Sequence, residues 1–409
     1  MWHCICFYHP AITQSYIIKD EKISFTTIAF SAGAFLPHIV VNAETGKRFG
    51  RSLDPDTNGY TSESFEEGTV GLDMTLSLFE GFSRINQVRF RKMNKERSEW
   101  ELKEKQNELA YQVTDAYYKL ILERKLLDLA LEQSRLSERY LKQTEVFVEL
   151  GLKSASDLQE VKARREGDIY RYQSRENSSR IALLHLKQLM NIQPGDTLAI
   201  LDTITASQLP PYSVSTVETL YAQSIEILPS IRMIDLKQKA AHKEYAIAGG
   251  AFSPSVFARF TVGSNYYNTA FSARQLRDNI GKYVGVGISF PLLSGLQRLT
   301  NQRKLKLNMY RLKNEEELEK QQLYTDIEQT LLSLHTGYSE HQQALSQLDA
   351  ETLVLKESER KWEEGLISVF QLMEARNRFI AAKAELVRVR LQIEMMMKLE
   401  KYYRQGTFL

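Results

Sequence analysis

The sequence contains few cysteines and no long apolar run. Among 409 residues only two cysteines occur, Cys4 and Cys6, so a disulfide framework is excluded. With His3 and His9 they offer four metal-binding side chains, but no second pair at zinc-finger spacing follows, and we predict neither a metal site nor a cofactor. Because no stretch of about 20 apolar residues occurs, a membrane-spanning helix is not expected.

Prolines, export signals and charge of one sign are also scarce. The nine prolines leave two gaps, between Pro55 and Pro194 and after Pro291, in which long helices can run. The N-terminus has neither a basic segment followed by an apolar core nor the small-residue box of lipid attachment, so no export signal is predicted. A net charge of +2 with both signs mixed provides no basic block for nucleic acid.

The sequence does contain an internal repeat. Residues 71–89, GLDMTLSLFEGFSRINQVR, return in altered form as residues 285–303, GVGISFPLLSGLQRLTNQR. Residues 151–164 return in the same way as residues 365–378. Both pairs have the same offset, 285 against 71 and 365 against 151, which is 214 residues. Two separate segments in one register indicate a duplicated unit.

Each repeat holds two segments in which apolar residues alternate with polar or small ones. These segments are residues 39–43, 70–78, 256–262 and 284–292. A period of two predicts strands. The polar, glycine-containing segments between them, residues 46–68 and 263–282, predict long loops. A small antiparallel sheet with one face on a soluble core is the commoner arrangement, but the segments that follow the strands argue against it.

A long helix is predicted after each second strand. Residues 82–150 contain neither glycine nor proline, and residues 296–364 contain only Gly337. At 1.5 Å per residue such a helix is on the order of 100 Å long, which no compact domain of this size holds internally. Apolar residues at three- and four-residue spacing predict coiled-coil packing. In the first helix they are Leu109, Val113, Ala116, Leu120 and Leu127. In the second they are Leu323, Ile327 and Leu334, with Thr330 at the remaining position of the pattern.

Both long helices are predicted to end in a tight turn. Gly151 and Gly365 supply the left-handed residue that ends a helix. Residues 154–157 offer N-cap candidates for a returning helix, and Ser368 does so in the second repeat. The returning helices are expected to end at Ile192 and near Tyr403.

The order of elements in each repeat is helix, strand, loop, strand, long helix, turn and returning helix. The opening helix is expected over residues 9–37 and, in the second repeat, over residues 228–254, where helix-forming sequence starts earlier, near Val217. We divide the chain into a first repeat, 1–195, a crossover linker, 196–215, and a second repeat, 216–409.

Four strands cannot close a barrel, and an open sheet edge cannot face lipid. Three copies would supply twelve strands, enough to leave an open lumen. The predicted fold class is therefore mostly α with a small β part. Long coiled-coil helical hairpins accompany four strands per chain, and these strands contribute to a trimeric 12-stranded β-barrel.

The order of elements and four phrases resemble the TolC family of outer-membrane efflux proteins. The phrases are LSLFEGFSR and FPLLSGLQR after the strands, and ELGLKSASDLQEVKAR and EEGLISVFQLMEARNR at the turns. The resemblance implies a homotrimer with one barrel in outer-membrane lipid and a helical tunnel in the periplasm. It also implies a periplasmic adaptor and an inner-membrane transporter, which hand substrates to a passive channel for efflux or type I secretion.

The resemblance further implies a gate where the helix turns close the tunnel entrance. In such proteins carboxylates just past the turn glycine form rings, and the matching positions here are Asp157, Glu160, Gln371 and Glu374. Gln371 stands where the family often has aspartate, which leaves one acidic ring from the second repeat. Carboxylates around a threefold axis repel one another and attract cations, which suits a gate. In the alternative interpretation, Asp157 is an N-cap and both glutamates are solvated.

Adaptor contact is implied for the turns themselves. The residues are Gly151, Leu152, Ser154, Gly365, Leu366 and Ser368, and ordinary helix-hairpin geometry would also explain them. Gly81 and Gly295 are expected to turn the chain from strand into helix. Phe82 and Leu296 stand where a second glycine is common in the family, a change expected to be harmless.

Two other classes of protein remain as alternatives. A soluble coiled-coil scaffold or interaction protein would explain the long helices but not the four alternating segments. An enzyme is not predicted, because the histidines are scattered and neither a glycine-rich phosphate loop nor a nucleophile elbow occurs. Since family members usually carry a signal peptide, we expect that the sequence is truncated or starts late.

Overall fold

The computed structural model describes residues 33, 35–53, 58–62, 64–193, 195–200, 209, 215–268, 273–292 and 296–408. The chain divides into two compact units. Among the described residues, a helical unit lies within Trp100–Arg232 and Glu317–Leu409, and a sheet unit comprises the residues up to Glu99 together with Met233–Glu316. Each unit draws on both sequence repeats, so the division into repeats 1–195 and 216–409 stays a prediction about the sequence.

The sheet unit contains a four-stranded antiparallel sheet. Its strands are β1 (His38–Arg48), β4 (Phe65–Glu80), β5 (Ser255–Asn268) and β6 (Gly281–Ser289), adjacent in that order. A short hairpin, β2 (Ser52–Leu53) with β3 (Tyr60–Thr61), lies in the β1–β4 connection. The predicted fold class, mostly helical with four strands in one sheet, is therefore confirmed for the chain.

The predicted loops were partly wrong, because the strands are longer than their apolar cores. Residues 46–68 include the end of β1 and the start of β4, which pair as far as Arg48 with Phe65. Residues 263–282 include the end of β5 and a short helix, Ala273–Asp278. Backbone groups form the ladder whatever the side chains are, and the buried rings of Phe65 and Tyr266 cover this polar end.

Two details of the predicted strands also differ. The segment 284–292 ends as a strand at Ser289, because Pro291 has no N–H to donate to a ladder. In β4 the register shifts between Ser77 and Phe79, so Leu78 lies in a bulge and leaves the strict alternation of residues 70–78.

The helices match the predicted order. Their bounds are α1 (Ser83–Glu149), α2 (Ala155–Leu189), α3 (Val217–Ile227), α4 (Pro229–Gly250), α5 (Ala273–Asp278), α6 (Gln297–Glu363) and α7 (Val369–Gln405). The long uninterrupted helices after β4 and β6 are thus confirmed. The returning helices end at Leu189 rather than Ile192 and at Gln405 rather than Tyr403. The predicted opening helix, 9–37, lies mostly outside the described residues.

The segment from Val217 to residue 254 contains two helices, α3 and α4. Leu228 has an extended backbone, with φ −69° and ψ 133°, and α4 begins at the proline that follows. The ring of a proline disfavours helical geometry in the residue before it, so Pro229 separates α3 from α4.

The helical unit is held together by apolar contacts at the predicted spacing. Ala116 and Leu120 pack with Leu186 between α1 and α2, and Ile327 and Leu334 join a cluster of α3, α6 and α7. A second cluster lies beside the helix turns; its members are Tyr140, Val161, Trp362, Val369, Leu372 and Met373. No helix in the described part of the chain combines the length and the apolar character needed to cross a bilayer.

Candidate functional site

The sheet has one continuous apolar face, defined here as the apolar face. The pairing aligns Ile39 with Met74, Met74 with Phe260, and Phe260 with Val284, so these four side chains share one side of the sheet. Further members are Val41, Val70, Leu72, Leu76, Val256, Ala258, Val262, Val286 and Ile288. On β6 the members are 69–77% exposed, far more than a face packed on a core would be.

The opposite face is polar and is fixed by hydrogen bonds across three strands. Asn42 Nδ2 donates to Asp73 Oδ2 at 3.3 Å, and Thr261 Oγ1 donates to Asp73 Oδ1 at 3.0 Å. The glycines of β6 on this face are covered by rings, because a Cβ on Gly287 would lie 2.5 Å from the ring of Phe257. The sheet thus has one polar face and one apolar face, and the apolar face is exposed.

Gly81 forms the first strand-to-helix junction as predicted. Its φ is +56°, and a Cβ there would lie 2.5 Å from the carbonyl oxygen of Gly250. Ser83 Oγ donates to the carbonyl oxygen of Ile247 at 3.1 Å, which fixes α1 against α4. Glycine is needed here both for the left-handed backbone and for the close approach. The second predicted junction, Gly295, lies outside the described residues.

The residue after each junction glycine has an unusual backbone. Phe82 has φ +61°, and Leu296, at the same place in the second repeat, has φ +63°. For a residue with a side chain the left-handed conformation costs about 1–2 kcal/mol. Each of the two residues thus places a bulky side chain on a strained backbone, and the expectation that these replacements of glycine are harmless stays a prediction.

Both helix turns close through the same hydrogen bonds. Gly151, with φ +72°, donates to the carbonyl oxygen of Val148 at 3.0 Å, and Gly365, with φ +76°, donates to that of Trp362 at 3.0 Å. Leu152 and Leu366 each donate to a carbonyl oxygen one turn earlier, at 2.8 Å. This is the glycine-ended helix stop that the sequence predicted. Leu152 and Leu366 are 66% and 68% exposed.

Each returning helix begins with a reciprocal cap. Ser154 N donates to Asp157 Oδ2 at 2.9 Å and Asp157 N donates to Ser154 Oγ at 3.1 Å. Ser368 N donates to Gln371 Oε1 at 3.0 Å and Gln371 N donates to Ser368 Oγ at 3.3 Å. Glutamine accepts the same bond as a carboxylate. Gln371 therefore preserves the geometry of the turn without the negative charge that an aspartate would bring.

The predicted gate residues occupy two kinds of position. Asp157 and Gln371 belong to the caps, and hydrogen bonds from the Ser154 backbone and hydroxyl lower the pKa of Asp157. Glu160 and Glu374 are exposed, and Glu374 lies 3.6 Å from Arg378 on the next turn of α7. The cap role is sufficient to explain why an aspartate stands at position 157 in a single chain. A role at the tunnel entrance stays a prediction for Asp157, Glu160, Gln371 and Glu374.

A buried polar cluster near the turns was missed from the sequence. Asp168, 1% exposed, accepts hydrogen bonds from Gln133 Nε2 at 2.8 Å and from the Ser137 hydroxyl. Arg376, 2% exposed, donates to the Gln133 carbonyl oxygen and to Ser137 Oγ, and stacks 5.7 Å from the ring of Tyr140. Burial lowers the pKa of Arg376. The cluster ties α7 to both α1 and α2.

Most of the chain matches the sequence profile of one protein family. The profile described as outer membrane efflux protein matches residues 24–191 and 220–395, which is well over half of the chain.

The chain belongs to the outer membrane efflux protein family.

Its function is therefore that of an outer-membrane efflux channel, a transport component and not an enzyme, and the resemblance to the TolC family is confirmed. No curated protein matches the sequence of this outer membrane efflux protein significantly.

Solved structures share the fold of this outer membrane efflux protein. The outer membrane protein VceC from Vibrio cholerae has a TM-score of 0.81 at 14% identity, covering 97% of this chain and 93% of that one. The CmeC outer membrane channel of Campylobacter jejuni has a TM-score of 0.79 at 14% identity, with coverage of 95% and 83%. The open state of the MtrE outer membrane channel of Neisseria gonorrhoeae has a TM-score of 0.75 at 17% identity, with coverage of 98% and 86%.

Proposed function

We propose that the chain is the outer-membrane channel of a tripartite efflux or type I secretion system. Three copies form one barrel, and the helices form a tunnel in the periplasm. A periplasmic adaptor joins this tunnel to an inner-membrane transporter. Substrates pass through the channel passively, because the pump supplies the energy.

The exposed apolar face of the sheet carries this proposal. A sheet in lipid must leave no backbone group unpaired, so its edges have to be joined. In the described chain β1 and β6 are the edges, and they run in opposite directions. The β6 of one copy can therefore pair antiparallel with the β1 of the next copy. Three chains of four strands then close a twelve-stranded barrel with the polar face toward the lumen.

The dimensions of the apolar face support a place in a bilayer. On β4 the face runs from Val70 to Phe79, which is paired with Val256 after the bulge. At about 3.4 Å per residue this is about 30 Å along the strand. With a tilt of about 40°, it spans about 23 Å across the membrane, close to the apolar band of about 25 Å in outer-membrane barrels.

The two helix turns support docking of an adaptor. Leu152 and Leu366 are exposed apolar side chains held by rigid glycine and serine geometry. Beneath them Trp362, Val369 and Leu372 are almost fully buried, so both turns are presented from one packed base. Exposed apolar side chains on a rigid base lose little conformational freedom when a protein partner binds, which favours docking here.

The same turns support the entrance gate. Glu160 and Glu374 are exposed and follow their caps by one helical turn, so threefold symmetry would give rings of three carboxylates. Such rings attract cations and repel anions. Asp157 adds a further ring beside its cap role, and Gln371 does not, which makes the gate asymmetric between the repeats.

Conductance across a planar bilayer tests the proposal. The purified protein is expected to form ion-conducting channels and to sediment with outer membranes when it carries an export signal. A Val286→Lys variant places a charge on the apolar face, where a lysine at mid-membrane costs about 2–4 kcal/mol, and is expected to lose insertion. The matched control is Ser289→Lys on the polar face of the same strand, which is expected to insert normally.

A protein that stays in the soluble fraction and gives no conductance would contradict the channel and favour the coiled-coil scaffold. Equal insertion of the Val286→Lys and Ser289→Lys variants would show that the apolar face does not contact lipid.

A further inference from the structure

Six large apolar side chains surround the two strand-to-helix junctions, and all of them are exposed. They form what we term the apolar collar: Leu78, Phe82 and Ile85 at the first junction, and Leu292, Leu296 and Leu299 at the second. Their exposed fractions range from 37% for Leu299 to 82% for Leu292. Exposed apolar residues that cluster in this way mark an interaction surface.

The two halves of the collar occupy the same places in the sequence repeat. Each residue of the first junction corresponds to one of the second at the repeat offset. Leu78 is matched by Leu292, whereas Phe82 is replaced by Leu296 and Ile85 by Leu299. Size and apolar character are thus kept where the side chain itself differs. A surface that needs bulk without a specific shape fits this pattern.

The backbone at Phe82 and Leu296 strengthens the argument. Both residues have a positive φ, a conformation that glycine adopts without strain. The strain is combined with exposure of 64% and 73%, which is a second unfavourable feature in water. A glycine would avoid both. Their presence is explained when the side chains have an apolar environment to enter.

The collar is continuous with the apolar face of the sheet. Phe79 pairs with Val256 on that face, and its ring contacts the ring of Phe82 edge-on at 5.2 Å. At the first junction the cation between the collar residues is paired, since Arg84 Nε lies 3.0 Å from Glu80 Oε2 and Nη1 donates to the Ser77 carbonyl oxygen at 3.3 Å. Apolar surface therefore extends without an unpaired charge from the strands into the start of α1.

We propose that the apolar collar contacts the acyl chains of the outer membrane, so that the membrane-embedded surface extends beyond the strands into the first turns of α1 and α6. The collar then sets how deeply the barrel lies in the bilayer. This inference rests on the proposed function, because it takes the apolar face as the lipid-contacting surface of the channel.

Spin labels on single cysteines test the collar. In a Cys4→Ser/Cys6→Ser background, labels are placed by Phe82→Cys and Leu296→Cys. Ile85→Cys and Leu299→Cys serve as second variants without a strained backbone. The protein is reconstituted into phospholipid vesicles, and collisions of each label with oxygen, which concentrates in acyl chains, are compared with collisions with a water-soluble nickel chelate.

Two matched positions calibrate the ratio. Val286→Cys reports the apolar face of the barrel, and Lys306→Cys reports an exposed position further along α6. We expect the collar labels to show a rise in the oxygen-to-nickel ratio to the level of Val286→Cys, well above that of Lys306→Cys.

Three other results would overturn the inference. Collar labels with the low ratio of Lys306→Cys, beside a high ratio at Val286→Cys, would place the collar in water and leave the channel intact. Collar labels shielded from both reagents would show that another copy of the chain covers them. A low ratio at Val286→Cys itself would contradict the proposed function, and the collar with it.

Discussion

Alanine in place of Gly81 tests the packing of the first strand-to-helix junction. A Cβ at this position would lie 2.5 Å from the Gly250 carbonyl oxygen and 2.7 Å from Ser253 Cβ, both closer than van der Waals contact allows. The left-handed backbone costs about 1–2 kcal/mol once a side chain is present. Forcing an extra atom into a filled site costs about 1–3 kcal/mol more. We expect Gly81→Ala to destabilise the protein by about 2–5 kcal/mol.

Two other glycines separate the backbone cost from the steric cost. Gly151 has φ +72°, but a Cβ added to it would meet no atom within 4 Å, so Gly151→Ala should cost about 1–2 kcal/mol, the backbone part alone. Gly167 lies inside α2 with open space and no positive φ, so Gly167→Ala should stabilise that helix by about 1 kcal/mol.

Thermal unfolding followed by far-ultraviolet circular dichroism measures the three variants. For a protein domain of 150–250 residues, each kcal/mol of change in the free energy of unfolding shifts Tm by about 2–4 °C. The expected order of Tm is Gly167→Ala above the unmodified protein, then Gly151→Ala, then Gly81→Ala. A Gly81→Ala variant that melts together with Gly151→Ala would refute the close approach of Gly81 to Gly250.

Three further predictions concern the helix turns and the buried polar cluster. Hydrogen bonds lower the pKa of Asp157, so its cap stabilises the first helix turn at neutral pH. This stabilisation is lost as the pH falls through the lowered pKa, below the ordinary value of 3.8. Amide hydrogen exchange should then become faster at the Asp157 turn and not at the Gln371 turn. Glu374→Ala should raise single-channel conductance at low salt or weaken block by divalent cations, and an unchanged trace would mean a solvated residue. Arg376→Met should lower the free energy of unfolding by about 3 kcal/mol in denaturant titrations, because the buried Gln133 carbonyl oxygen and the Ser137 hydroxyl lose a charged donor; a variant as stable as the unmodified protein would contradict this.

The long helices and their turns could be predicted because their determinants are local. Glycine and proline are missing from residues 82–150, and the residues that end and restart each helix, Gly151 with Ser154 and Gly365 with Ser368, lie within a few positions of one another. The repeat offset then marked equivalent positions in both halves. These features depend on neighbours in sequence and not on the fold.

The extent of the strands could not be predicted, because it depends on distant pairing. Arg48 is in a strand since it pairs with Phe65, and Asn268 is in a strand since it pairs with Glu66. Neither has an apolar pattern of its own. By contrast, the break at Leu228 has a local signal in the following Pro229.

The buried cluster and the collar required coordinates for different reasons. Arg376 stands four residues after the buried Leu372, so helical spacing placed it on the packed stripe, but only the structure brings Asp168 opposite it. The left-handed backbone of Phe82 has no sequence signature, because the residue type argues against that conformation.

The mass of the assembled protein tests the central claim most directly. Edge strands β1 and β6 each have a free side in the described chain, and a lipid-embedded sheet requires that neighbouring copies join them. Native mass spectrometry of the protein extracted in mild detergent is expected to give three chain masses. A monomer that still conducts ions in a bilayer would contradict the shared barrel.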